Sequence, residues 1–168
     1  MKRSAILAVA VLALPSVAHA QFFQANLDGY QEVPSVATRA VGVFSAKSNS
    51  LRTEVEYSLS YSNMQGTVTQ AHIHFAQIAA NGPIIIWLCG SSTNPGPAGT
   101  PTCPLGSGTV EGIFRAIDVQ ASPTTQQLGA GQISAFIEAM RANSAYVNVH
   151  TTLSPGGEIR GQVLGWGR

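Results

Sequence analysis

Leu51-Arg52-Thr53-Glu54-Val55-Glu56-Tyr57-Ser58-Leu59-Ser60-Tyr61 alternates without a break: Leu51, Thr53, Val55, Tyr57, Leu59 and Tyr61 take one parity, and Arg52, Glu54, Glu56, Ser58 and Ser60 the other. Successive side chains of an extended chain point to opposite faces, so this pattern predicts a half-buried strand with one wet face. Shorter stretches of the same kind occupy residues 22–27, 41–46, 68–75, 84–88, 109–119, 146–151 and 158–164. Turn residues separate them, as at Asp28-Gly29, Asn81-Gly82-Pro83 and Pro155-Gly156-Gly157. Many short strands at close spacing predict a mainly β domain, an antiparallel Greek-key sandwich or barrel.

One segment follows a different period. Ile133, Phe136, Ile137 and Met140 fall at i, i+3, i+4 and i+7, which predicts a single short helix over residues 132–142, packed by its apolar stripe onto the β-core. Residues 89–108, by contrast, read as an irregular surface excursion rich in Gly, Pro, Ser and Thr.

The chain opens with Lys2 and Arg3, an uncharged apolar run from Ala5 to Leu14, Pro15, and Ala18-His19-Ala20. That order is the three-part pattern of a secretory signal, with cleavage expected between Ala20 and Gln21. Residues 21–168 are then expected to form one exported domain, periplasmic or secreted. The apolar run is too short for a bilayer that needs roughly 20 residues, and no later stretch is long enough either. The mature chain retains all 8 acidic residues and all but two of the 9 basic ones. Such a near-neutral balance argues against nucleic acid or an anionic membrane surface as a partner. Cys89 and Cys103, the 2 cysteines of the chain, are expected to form a disulfide in an oxidising compartment.

His72 and His74 stand at i and i+2 in Ala71-His72-Ile73-His74, so on a strand both rings project from one face. His150 ends the run Tyr146-Val147-Asn148-Val149-His150, in which the valines take one face and Tyr146, Asn148 and His150 the other. If the two strands are neighbours, the three imidazoles converge into a copper or zinc site. The plainer reading leaves each ring solvated or fixing a turn through its own hydrogen bond. No catalytic set is legible: there is no Gly-x-Ser-x-Gly elbow, no His-Glu-x-x-His and no phosphate loop. Glu111 and Asp118 differ in parity and cannot share a strand face, while Glu32, Glu158 and Arg160 read as ion pairs or hydrogen-bonded struts. The sequence therefore favours a non-enzymatic binding or structural role toward an extracytoplasmic protein or ligand, with a three-histidine metal protein as the alternative.

Three separated blocks resemble the CHRD domain, the module repeated in chordin and found as a stand-alone exported domain in microbes. They are Ala25-Asn26-Leu27-Asp28-Gly29-Tyr30-Gln31-Glu32-Val33-Pro34; Ala71-His72-Ile73-His74 with Asn81-Gly82-Pro83; and Tyr146-Val147-Asn148-Val149-His150-Thr151 with Pro155-Gly156-Gly157-Glu158-Ile159-Arg160-Gly161-Gln162. The resemblance implies an extracellular β-sandwich or barrel. His72-Ile73-His74 is also similar to the His-x-His strand of copper-zinc superoxide dismutases, which use a Greek-key barrel. The further histidines and the aspartate of that two-metal site are missing here, so this likeness does not extend to a dismutase.

Overall fold

A computed structural model describes residues 19–166. The leader expected over residues 1–20 therefore lies outside the described residues, apart from His19 and Ala20. Nine strands follow: β1 (Phe22–Asp28), β2 (Val41–Ser48), β3 (Glu54–Ser62), β4 (Val68–Phe75), β5 (Ile84–Cys89), β6 (Gly108–Arg115), β7 (Ala145–Thr151), β8 (Ile159–Gln162) and β9 (Leu164–Trp166). One helix, α1 (Ile133–Arg141), precedes β7. The strands join antiparallel in the order β5-β4-β7-β8-β1-β2-β3-β6, with β9 alongside β1.

The sheet curls until its edges nearly meet, giving a mainly antiparallel, barrel-like fold. Two bonds span the remaining gap, from Gln120 N to Ile85 O at 2.9 Å and from Tyr57 Oη to Leu88 O at 2.8 Å, while Tyr61 Oη donates to Pro104 O, in the segment leading into β6, at 2.6 Å. Both tyrosines belong to the inward face of β3. Val55, Tyr57, Leu59 and Tyr61 are buried there, as the alternation requires, and the intervening serines and glutamates face outward. Leu51 and Thr53 do not join this face. Asn49 folds the chain into a turn, its Oδ1 accepting from Thr53 N at 2.9 Å, and Arg52 takes a left-handed φ of 56°, so the pattern runs past the end of the strand and leaves Leu51 exposed.

Two other expected strands are shorter than their sequence pattern. The stretch 109–119 leaves the sheet at Arg115, where Asp118 Oδ2 accepts from Arg115 N at 2.8 Å and closes a 3-10 turn. The stretch 158–164 divides at Val163 into β8 and β9. In α1, Ile133, Phe136, Ile137 and Met140 are buried in the core cluster. Cys89 and Cys103 form a disulfide at a Cα separation of 5.0 Å, closing the irregular excursion onto the end of β5.

On β7 the expectation of one wet sheet face gives way to burial at every residue. Ala145, Val147 and Val149 belong to the core cluster. Tyr146, Asn148 and His150 are nonetheless only 1–7% exposed, because the loops around residues 29–35, 76–83 and 152–158 bond to their side of the sheet. Burial on both faces creates a second, polar layer outside the barrel, and the histidines lie within it.

Candidate metal centre

Strand pairing brings the histidines together. In the β4–β7 register His72 pairs with Asn148, His74 with Tyr146 and Gln70 with His150, so His150 sits two register positions along from His72, on the same face. The ring centroids of His72 and His150 are 5.0 Å apart, and those of His72 and His74 are 5.4 Å apart. One nitrogen from each of the three can be chosen so that all lie within 4.8 Å of one another. His72 is 0% exposed, His74 and His150 7%.

Backbone carbonyls fix two of the rings. His74 Nδ1 lies 2.9 Å from Gly82 O and His150 Nδ1 2.9 Å from Pro155 O. A carbonyl only accepts, so in each neutral ring Nδ1 carries the proton and Nε2 is left with a lone pair. His150 Nε2 lies 3.3 Å from His72 Nδ1. Two nitrogens bound to one tetrahedral zinc at about 2.0–2.1 Å stand about 3.4 Å apart. Bringing the widest pair, within 4.8 Å, to that spacing is a closure of up to about 1.4 Å. Nε2 of His72 and of His74 are buried without a hydrogen-bond partner.

Electrostatics keep these rings neutral. Burial is the main cause of a lowered pKa at all three, carrying His72 far down and His74 to about 4. Arg160 lowers His74 and His150 further, whereas their carbonyl bonds oppose the shift. Neutral imidazole is the form that ligates metal.

Around the rings lies an aromatic and ionic surround. Trp87 meets His72 edge-on at 4.3 Å, Tyr146 stacks on His74 at 4.6 Å, and the Arg160 guanidinium sits 4.0 Å from the centre of the Tyr146 ring. Arg160 Nε donates to Glu32 Oε2 at 3.0 Å, Nη1 to Ala80 O at 3.2 Å and Nη2 to Asn81 Oδ1 at 2.6 Å. Burial raises the Glu32 pKa, and the Arg160 cation opposes that rise. Glu158 does not pair with Arg160. Its carboxylate accepts from Thr38 Oγ1, Gln65 N and Thr151 Oγ1 at 2.7–2.8 Å and ties three segments together.

A family model, the CHRD domain, matches residues 23–163. The chain belongs to the CHRD domain family. No curated protein and no solved structure matches it significantly. Each sequence block of the CHRD resemblance supplies part of the same layer: Glu32 from the first, His72, His74 and the Gly82 carbonyl from the second, and Asn148, His150, the Pro155 carbonyl and Arg160 from the third. Parity alone puts Tyr146 and Asn148 on the histidine face. Trp87 becomes visible only through the β4–β5 register, where it pairs with His72.

Proposed function

We propose that this CHRD domain is a non-enzymatic, extracytoplasmic module whose His72, His74 and His150 hold one zinc or copper ion beneath the loops that cover β4 and β7. The proposal includes removal of residues 1–20, giving a mature chain from Gln21. The disulfide and the lack of a membrane-spanning helix among the described residues are compatible with that location. The single observation that carries the metal reading is the buried Nε2 of His74, aimed among the other rings with no hydrogen-bond partner while Gly82 O holds its Nδ1 proton. A buried acceptor left unpaired costs about 1–3 kcal/mol, and a bound cation would remove that cost.

Near-complete burial favours a binding or structural role over catalysis, since a reactive metal keeps a position open to substrate. Elemental analysis of natively purified protein is expected to find one zinc or copper per chain, reduced to background in His72→Ala and His150→Ala. Metal-free protein that takes up neither ion on titration refutes the reading.

A further inference from the structure

Resting on the three-histidine reading, the geometry points to a fourth protein ligand: the side-chain oxygen of Asn148. His72 and His74 are two residues apart on β4, and Asn148 and His150 two apart on β7, with His72 paired to Asn148. These four positions are the corners of one slanted parallelogram on a single sheet face. Its long diagonal joins His74 to His150, whose ring centres are 6.3 Å apart. Its short diagonal joins His72 to Asn148, so an ion held by the three rings lies beside Asn148.

Asn148 is 1% exposed and its Oδ1 has no hydrogen-bond partner. The orientation of the amide follows from Glu32. An ionised carboxylate only accepts, so the Asn148 Nδ2 protons turn toward Glu32 and Oδ1 turns toward His74. Gly157 makes room for this arrangement: a Cβ there would lie 2.2 Å from Glu32 Oε1 and 3.0 Å from Asn148 Nδ2. In the metal-free protein His72 Nδ1–H donates to His150 Nε2, and His72 Nε2, His74 Nε2 and Asn148 Oδ1 are among the buried acceptors left unpaired, together with Glu32 Oε1 in the same layer. With the His72 proton moved from Nδ1 to Nε2, a cation is served by His72 Nδ1, His74 Nε2, His150 Nε2 and Asn148 Oδ1 together. The resulting set of three imidazole nitrogens and one amide oxygen is neutral and closed, and its oxygen favours zinc over cuprous copper, which prefers softer donors.

Zinc titration of the metal-free full-length protein tests this assignment, with wild type, His150→Ala, Asn148→Leu and Asn148→Asp compared at neutral pH. Asn148→Leu is expected to weaken zinc binding at least tenfold, and Asn148→Asp, which places an anionic oxygen at the same corner, to tighten it. If folded Asn148→Leu binds zinc as wild type does while His150→Ala does not, water completes the shell, and the Asn148 assignment falls while the three-histidine reading stands. If Asn148→Leu fails to fold, the near-isosteric Asn148→Asp decides, and zinc bound no more tightly than by wild type overturns the assignment. Wild type that binds no zinc overturns the Asn148 assignment, and wild type that takes up neither zinc nor copper overturns both.

Discussion

Arg160 is the residue on which the polar layer turns. It bonds Glu32, Ala80 and Asn81 and covers Tyr146, all from a position 4% exposed. Removing it would leave Glu32, itself 4% exposed, as a buried carboxylate without a counter-charge. Arg160→Ala is therefore expected to destabilise the fold by about 3–5 kcal/mol in urea unfolding, whereas replacing both partners by apolar residues of similar volume should cost much less. The histidines impose a pH dependence of their own. Their folded pKa values lie below the unfolded value of about 6.5, so the unfolded chain takes up protons first as pH falls. Their contribution to the stability of the metal-free protein is then level above about pH 6.5 and decreases below it, through the pKa of about 4 at His74, while the raised pKa of Glu32 acts in the opposite sense at lower pH. Urea midpoints between pH 7.5 and 4.5 check this, and a flat profile would show that the rings are not buried neutral.

Local pattern and strand pairing contribute differently at the scale of elements. The alternation of β3 and the i, i+3, i+4, i+7 stripe of α1 are local, and both are legible because burial on one face imposes the period. Phe136 at the centre of that stripe is 0% exposed, so Phe136→Ala is expected to cost about 3–5 kcal/mol in chemical denaturation. A loss well under 1 kcal/mol would mean that the helix contributes little to the core. Strand ends are less legible, since Leu51 and Thr53 fit the period yet lie in a turn set by Asn49. Parity gives His72, His74 and His150 their faces but not their adjacency. That adjacency depends on β4 pairing with β7 across about 70 residues of intervening chain. The two-sided burial of β7 is likewise invisible in a strand alone, because its own following loop and two loops distant in sequence create it.

Considered as a whole, the molecule ties its disulfide to its candidate site through the excursion that the disulfide closes. Cys89 ends β5 and pairs with Ala71, next to His72, while Trp87 pairs with His72 itself. The excursion folds back on Trp87 so closely that a Cβ on Gly96 would lie 2.7 Å from its ring, and Gly90 and Thr102 bridge at its base. Trp87 in turn is the ring set edge-on against His72 at 4.3 Å. Replacing both cysteines by alanine should thus act twice. Losing a cross-link of sequence separation 14 is expected to cost about 3 kcal/mol of stability through the greater freedom of the unfolded chain. Freeing the excursion should also loosen Trp87 over His72, so that zinc leaves faster from the double variant, as chelator-driven release would measure. The two effects are separable because the first acts on the unfolded state and the second on the native one. Release at the wild-type rate from a variant destabilised by the expected amount would show that the excursion does not guard the histidines.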